Sequence, residues 1–270
     1  MTFQTEDHKT LSALDVMPLG EVKGTILLCH YLGGCKEMMI HLMEPLLQQG
    51  YRLIAFDFRN HGESQGDKNI YFSLIKDFEG IMSYLRCQDL KGNFGVIGFS
   101  MGATAAVHGV SRYPEITAAI IDSGPLLSVK EYFQYILKIK KVSHPIERAF
   151  FVWFYLYFAK FLQMKKTTHK NLISISQQHQ TKKIFFIHGQ RDTIIPLADA
   201  KNAYDLSSPA SEIWIVPKAR HLTSRMLCEE EYLKKIMDFF NKNLLTTGEK
   251  GFESRETKSN KGRLDITQGK

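Results

Sequence analysis

The sequence is poor in the features that mark several large classes of protein. Its 270 residues include only four cysteines, Cys29, Cys35, Cys87 and Cys228. They show neither a CxxC spacing nor the Cys/His spacing of a zinc site, so we expect free thiols rather than a disulfide framework or a bound metal. Free thiols are typical of a reducing compartment, which favours a cytoplasmic protein.

Targeting signals are also missing. Residues 1–9 are polar and lack the basic start and apolar run of a secretory signal peptide, so we predict no secretion. The most apolar stretch, residues 149–162, is shorter than the roughly twenty apolar residues that a membrane-spanning helix needs. We therefore predict no transmembrane helix.

The positive charge is confined to one part of the chain. The formal net charge is +7, and in residues 126–183 lysine and arginine outnumber aspartate and glutamate by 11 to 2. No nucleic-acid-binding motif accompanies this block. We therefore predict no nucleic-acid partner.

Short apolar runs alternate with longer helical patterns along most of the chain. Near-continuous apolar runs indicate strands that are buried on both faces, and their alternation with helices indicates a mostly parallel, doubly wound α/β sheet. The predicted strands are Thr25–Cys29, Arg52–Phe56, Phe94–Phe99, Ala118–Ile121, Ile184–Ile187 and Glu212–Val216. The predicted helices are Met38–Gln49, Tyr71–Arg86, Met101–Tyr113, Leu197–Leu206 and Glu229–Asn243.

Two stretches interrupt this alternation and suggest the domain organisation. Residues 126–180 are lysine-rich and helical in pattern, so we predict a helical cap inserted into a core formed by residues 1–125 and 181–245. Residues 246–270 are polar and without periodicity, which is typical of a disordered tail.

The predicted cap contains a helix that is apolar on every side, Phe150–Phe161. Such a helix must be buried or in contact with lipid. We expect it to pack over the core and line the roof of a pocket. Two alternatives stay open: a lid that covers an acyl chain or rests on an anionic membrane, which nearby lysines would favour, and a dimer contact. Those lysines are Lys138, Lys140, Lys141, Lys165, Lys166 and Lys170.

The most specific motif is Gly98-Phe-Ser-Met-Gly102, which directly follows a predicted strand and directly precedes a predicted helix. A serine on a sharp strand-to-helix turn projects its hydroxyl from the sheet edge, and the glycines allow the neighbouring backbone to approach. The helix N-terminus favours developing negative charge. We therefore predict that Ser100 is a catalytic nucleophile.

A serine nucleophile needs a base, and the base needs an acid that orients it. In the strand–turn–helix arrangement around Ser100, the expected chain order is Ser, then Asp or Glu, then His. Asp192 follows one late strand and His221 follows the last, so we predict them as acid and base. Asp122 is a rival acid, and His30, His61 and His188 also lie in loops at strand ends.

The oxyanion hole should combine the backbone N–H of Met101 with one from the loop after the first predicted strand. That loop reads His30-Tyr-Leu-Gly-Gly34. Leu32 is the candidate for the second donor, with Tyr31 as the alternative.

Five segments together resemble the α/β-hydrolase superfamily, above all its serine esterase, lipase and thioesterase-like members. They are Leu28–Gly34, Phe56–Ser64, Gly98–Gly102, His188–Asp192 and Arg220–His221, and the resemblance extends over about residues 24–245. It implies the α/β-hydrolase fold, Ser100, Asp192 and His221 as the triad, and Met101 and Leu32 as oxyanion donors.

The resemblance also assigns several residues to supporting positions and implies no cofactor or metal. Asp57, Arg59, His61, Gly62 and Ser64 would form a structural loop beside the site, and His30 would support the site from behind. One position departs from the family pattern. Tyr31 stands where members usually have glycine, which puts the second oxyanion donor in doubt.

These observations predict a serine hydrolase that cleaves carboxylic esters of small molecules through an acyl-enzyme intermediate. The cap suggests an apolar acyl group. A thioesterase or acyltransferase acting on acyl thioesters would use the same residues, and a catalytically silent binding protein is possible on the same fold.

Overall fold

A computed structural model of the protein describes residues 1–67, 73–88, 93–125, 127, 145, 149, 162–178 and 181–244. Within these ranges the eight strands are β1 (Thr2–Gln4), β2 (Thr10–Val16), β3 (Gly24–Cys29), β4 (Tyr51–Phe56), β5 (Phe94–Phe99), β6 (Ile116–Asp122), β7 (Lys183–Gly189) and β8 (Glu212–Val216). The seven helices are α1 (Lys36–Gln48), α2 (Leu74–Cys87), α3 (Met101–Arg112), α4 (Leu162–Gln178), α5 (Leu197–Asp205), α6 (Ser224–Leu227) and α7 (Glu229–Leu244).

All strands belong to one sheet with the order β1-β2-β4-β3-β5-β6-β7-β8. The strands from β4 to β8 in this order pair in parallel, which confirms the predicted mostly parallel α/β sheet. In the sheet, β4 lies on one side of β3 and β5 lies on the other, so the strand order reverses at β3. Ligands of such sheets bind at the carboxyl ends of the strands, where the strand order reverses.

The six predicted strands and five predicted helices are all present, and their ends differ by three residues or fewer. The two strands that the sequence pattern did not indicate, β1 and β2, lie at one edge and are antiparallel. β1 has only three residues, of which Phe3 alone is buried. So short a strand carries no recognisable alternation.

Helices cover both faces of the sheet. On one face, α1 and α7 bury residues such as Met39, Met43 and Phe240 in a shared core. On the other, α2 and α3 bury Phe78 and Val107. This two-sided cover explains why the central strands are apolar along their whole length.

Part of the predicted insertion belongs to the same layer. Thr168, Leu172 and Ile175 of α4 are buried, and both apolar residues pack in the core that contains α2 and α3. The predicted aromatic helix at 150–161 and the predicted tail at 246–270 lie outside the described residues. In the part of the chain that is described, no helix is long and apolar enough to cross a membrane.

Candidate active site

Ser100 occupies the turn between β5 and α3. Its φ of 49° and ψ of −106° are unusual for a residue with a side chain, and such a conformation costs about 1–3 kcal/mol. Two hydrogen bonds stabilise it: the Ser100 N–H donates to Asp122 O at 2.9 Å, and the Ala103 N–H donates to Ser100 O at 3.1 Å. In this conformation the hydroxyl lies at the carboxyl edge of the sheet, within hydrogen-bond distance of His221.

The two glycines of the motif are required by close backbone approach. A Cβ at Gly98 would lie 2.5 Å from Gly102 O, and a Cβ at Gly102 would lie 2.2 Å from Cys29 O. Both distances are far inside van der Waals contact. Helix α3 can therefore pack onto β3 and β5 only when these positions carry no side chain.

The structure brings Ser100, His221 and Asp192 into one hydrogen-bonded row. His221 Nε2 lies 2.8 Å from Ser100 Oγ, and His221 Nδ1 lies 2.8 Å from Asp192 Oδ2. A carboxylate only accepts, so the proton of the neutral imidazole sits on Nδ1. Nε2 is then free to accept the hydroxyl proton of Ser100. This is the geometry that a serine nucleophile and its base require.

Asp192 is fixed from its other side by the backbone. Its Oδ1 accepts the N–H groups of Ile194 at 2.7 Å and Ile195 at 2.9 Å, and its side chain is buried. His188 lies next to it, with Nε2 3.1 Å from Ile195 O and 3.7 Å from Asp192 Oδ2. The pKa of His188 is lowered, chiefly by burial. His188 thus braces the turn that carries Asp192.

The rival candidates lie elsewhere. Asp122 accepts hydrogen bonds from Tyr232 Oη at 2.5 Å and Ser123 Oγ at 2.8 Å, and so contacts neither nitrogen of His221 in hydrogen-bond geometry. His61 Nδ1 lies 3.0 Å from Arg59 O in the loop after β4. Among the described residues, His221 is the histidine that meets Ser100.

The loop after β3 forms a tight turn beside Ser100. The Gly34 N–H donates to Tyr31 O at 2.9 Å, and Gly33 has a φ of 80°, which favours glycine. His30 Nδ1 also donates to Tyr31 O, at 2.8 Å, because its Nε2 accepts the Phe58 N–H. Burial lowers the pKa of His30 to about 4. Neutral His30 therefore links this turn to the loop after β4 through its hydrogen bonds to Tyr31 O and the Phe58 N–H.

The two predicted oxyanion donors differ in their surroundings. Met101 is the first residue of α3, where backbone N–H groups have no partner within the helix. Leu32 lies within the turn from Tyr31 to Gly34 and is 54% exposed. The phenol of Tyr31 points to Met38, with Oη 3.8 Å from Sδ. Both donors stay predictions.

The loop after β4 supports this turn through a buried carboxylate. Asp57 Oδ1 accepts the Lys36 N–H at 2.7 Å, and Oδ2 accepts from Lys36 Nζ at 2.8 Å and from the Glu63 N–H at 3.0 Å. A Cβ at Gly62 would lie 2.1 Å from Asp57 Oδ2. The loop thereby anchors the start of α1, directly after the turn at Gly34.

Sequence reasoning missed Lys36, Ser123 and Tyr232. Lys36 is buried and pairs with Asp57, but nothing in the local pattern distinguishes it from an exposed helical lysine. Ser123 follows a predicted strand end, which could have pointed to it. Tyr232 reaches Asp122 across 110 positions of sequence, and no local signal indicates that contact.

The described residues contain no cluster of three or more histidine, cysteine or acidic side chains that could bind a metal. Cys29, Cys35, Cys87 and Cys228 are free thiols in the structure.

A doubly wound parallel sheet with a strained serine between strand and helix defines an α/β-hydrolase. A family model described as serine aminopeptidase, S33, matches residues 20–184, so the chain belongs to this family. It is a serine hydrolase of the esterase and lipase-like type.

Individual relatives are similar to the chain at lower identity. The protein YqkD of Bacillus subtilis is 22% identical over 228 residues, which cover 82% of this chain and 72% of that protein. The lysophosphatidylserine lipase ABHD12 of Xenopus tropicalis is 24% identical over 64% of this chain, which spans only 44% of that lipase. The structure of the Pyrococcus furiosus esterase Pf2001 aligns with a TM-score of 0.70 and 26% identity, covering 90% of this chain and 92% of that one.

Proposed function

We propose that the protein hydrolyses carboxylic esters of small molecules, with Ser100 as nucleophile, His221 as general base and Asp192 as the acid that orients it. The observation that carries the proposal is the row of two 2.8 Å contacts from Ser100 through His221 to Asp192. The resemblance to an archaeal esterase over nine tenths of the chain favours esters as the substrate class.

In the first half of the reaction, His221 Nε2 takes the proton of Ser100 as Oγ attacks the carbonyl carbon. Asp192 accepts the Nδ1–H bond throughout and stabilises the imidazolium that forms. The imidazolium then protonates the leaving alkoxide, and the acyl group remains on Ser100. In the second half, water attacks the acyl-enzyme with His221 again as base.

The negative oxygen of the tetrahedral intermediate would accept hydrogen bonds from the backbone N–H groups of Met101 and Leu32, with Tyr31 as the alternative to Leu32. The field at the N-terminus of α3 adds to this stabilisation. Loss of one such donor costs about 3–4 kcal/mol in comparable enzymes. Because His30 locks the turn that contains Leu32, we expect this donor to be preorganised.

The test is hydrolysis of p-nitrophenyl butyrate, together with labelling by a fluorophosphonate probe. Ser100→Ala should lower kcat by about 10⁶ and abolish labelling, and Asp192→Asn should lower kcat by about 10⁴. Ser111→Ala is the matched control, because Ser111 lies on the same helix and its hydroxyl only donates to His108 O. It should leave both readouts unchanged.

Three results would contradict the proposal. A wild-type protein that neither turns over esters nor labels would favour a silent binding protein. Faster turnover of an acyl-coenzyme A thioester than of the matching ester would reassign the enzyme as a thioesterase. Cleavage of alanine p-nitroanilide without ester cleavage would make the protein an aminopeptidase, which is the activity that the family description names.

We further propose an apolar acyl group, because the sequence of residues 150–161 is rich in aromatic side chains. Catalytic rates for p-nitrophenyl esters from acetate to decanoate measure this preference. We expect kcat/KM to rise with chain length, and a strict optimum at acetate would remove the idea.

The basic block at 126–183 also suggests contact with an anionic membrane surface. Co-sedimentation with vesicles that contain phosphatidylserine should show binding at low salt that is lost at high salt. No binding at low salt would contradict it. The four unpaired cysteines favour a reducing, cytoplasmic setting, which fractionation of the expressing cells would test.

A further inference from the structure

The corner at the end of β6, Asp122–Ser123, contacts the Ser100 turn, the strand that leads to Asp192 and the loop that carries His221. The Ser100 N–H donates to Asp122 O at 2.9 Å. The Ser123 N–H donates at 2.9 Å to Ile187 O, in the strand that leads to Asp192. The Leu222 N–H, directly after His221, donates to Ser123 Oγ at 3.1 Å.

The direction of these hydrogen bonds is set by a buried carboxylate. Ser123 Oγ donates to Asp122 Oδ1 at 2.8 Å, and Tyr232 Oη of α7 donates to Asp122 Oδ2 at 2.5 Å. An ionised carboxylate only accepts, so the hydroxyl hydrogen of Ser123 points to Asp122. The lone pairs of Ser123 are then left to accept the Leu222 N–H.

Both ends of the Ser123–Leu222 contact have an unfavourable backbone conformation. Ser123 has a φ of 54° and Leu222 a φ of 57°, and each costs about 1–3 kcal/mol for a residue with a side chain. Such strain persists only where surrounding contacts impose it. The Ser123 hydroxyl accepts the N–H of the left-handed residue directly after His221.

We propose that Ser123, oriented by Asp122 and Tyr232, is a positioning residue that keeps the His221 imidazole between Ser100 and Asp192. The inference rests on the proposed function, in which His221 is the general base. None of the three residues hydrogen-bonds to the His221 ring nitrogens, so each acts through the backbone of Leu222 and not on the reacting atoms.

The kinetic test compares variants that remove single hydroxyls. Ser123→Ala and Tyr232→Phe should each lower kcat for p-nitrophenyl butyrate by roughly tenfold with KM unchanged, because a displaced base slows chemistry and not substrate binding. Ser123→Gly removes the hydroxyl but also relieves the left-handed strain, and we expect the same loss. Ser207→Ala is the control. Ser207 is also buried, and its hydroxyl hydrogen-bonds to Tyr204 O and Ser211 Oγ in the segment between α5 and β8.

A second readout needs no catalytic activity. The Nδ1 proton of His221, in its 2.8 Å contact with Asp192, should give a low-field proton NMR resonance in the wild type. We expect this resonance to broaden or shift in Ser123→Ala and Tyr232→Phe and to stay unchanged in Ser207→Ala. A purely structural role for Ser123 would alter thermal stability without moving the resonance.

The outcomes separate this inference from the proposed function. Folded variants with wild-type kcat and an unchanged resonance would overturn the inference while ester hydrolysis stands, and so would full activity in Ser123→Gly. A wild type without ester hydrolysis would overturn the proposed function, and the NMR comparison would still decide the inference. If Ser123→Ala fails to fold, Tyr232→Phe, which keeps the ring in place, decides it.

Discussion

At the scale of single residues, Asp122 shows how burial opposes the ionisation of a carboxyl group. Burial raises the pKa of Asp122 to about 6, against the opposing hydrogen bonds from Tyr232 and Ser123. Near neutral pH the protein therefore contains a buried, ionised carboxylate. Neutral hydroxyl donors compensate that charge only in part.

This conflict predicts a pH dependence of stability. The folded pKa of Asp122 lies above its ordinary value of 3.8, so the folded state binds the proton more tightly than the unfolded state. Its contribution to stability is complete below about pH 4 and is lost as the pH rises through 6, by about 3 kcal/mol for a shift of about two units. Asp122→Asn cannot ionise and should lack this loss.

Urea unfolding of wild type and Asp122→Asn between pH 4 and pH 7 measures the effect. The free energy of unfolding of the variant, relative to wild type, should increase over this range. A constant difference between the two proteins would show that Asp122 ionises alike in the folded and unfolded states.

At the scale of secondary-structure elements, the turn between β5 and α3 depends on backbone contact. Helix α3 passes so close to the end of β3 that Gly102 faces Cys29 O directly. We expect Gly102→Ala to lower the free energy of unfolding by about 3 kcal/mol, because rigid backbone on both sides must move apart to admit a methyl group. Because Ser100 lies two residues away, esterase activity should fall as well.

Gly24→Ala provides the matched control for this prediction. A Cβ at Gly24 would meet its nearest atoms, on Tyr51, at 3.7 Å, which is ordinary van der Waals contact. Thermal unfolding should show a change of less than about 1 kcal/mol for Gly24→Ala. Equal effects of the two substitutions would mean that the turn between β5 and α3 tolerates a small separation of α3 from β3.

At the scale of the whole molecule, a buried arginine ties the N-terminal segment to the core. The Arg59 side chain is fully buried, and its Nε donates to Asp77 Oδ1 of α2 at 2.7 Å. Its two terminal nitrogens reach Asp7 oxygens at 3.0 Å each. Asp7 lies between β1 and β2, so this network attaches the antiparallel edge of the sheet to the rest of the fold.

Removal of the Asp7 charge should destabilise the protein at neutral pH. The hydrogen bond from Arg59 is the main cause that holds the pKa of Asp7 well below its ordinary value. A carboxyl whose pKa is lowered on folding contributes stability above its unfolded pKa, and the contribution fades as the pH falls below it. We expect Asp7→Asn to lose about 1 kcal/mol at pH 7.

The measurement is guanidinium unfolding at pH 7 and at successively lower pH below 4, with the exposed neighbour Glu6→Gln as control. The difference between wild type and Asp7→Asn should shrink at the lower values, whereas Glu6→Gln should match wild type throughout. A deficit for Asp7→Asn that does not change with pH would indicate lost packing and not a lost charge.

The sequence alone predicted the interior of the fold well, because its signals are local. A strand buried on both faces must be apolar along its length, as Phe94–Phe99 is. A serine on a strained strand-to-helix turn needs small neighbours, as Ser100 has in Gly98 and Gly102. Chain order then pointed to Asp192 and His221, which the structure brings into contact with each other. The edge strands β1 and β2 escaped prediction, since Thr2–Gln4 is too short to show a period and burial along Thr10–Val16 does not alternate from residue to residue.

What only the tertiary structure decided are the contacts between distant parts of the chain. Asp122 ends β6 and Asp192 follows β7 at the same sheet edge, and the sequence could not exclude either as partner of His221. The folded chain turns Asp122 towards Tyr232, 110 residues away, and leaves Asp192 facing His221. The local pattern of apolar and small residues indicates which positions must be buried or strained. Which side chains meet depends on how the strands and helices pack, and no single segment contains that information.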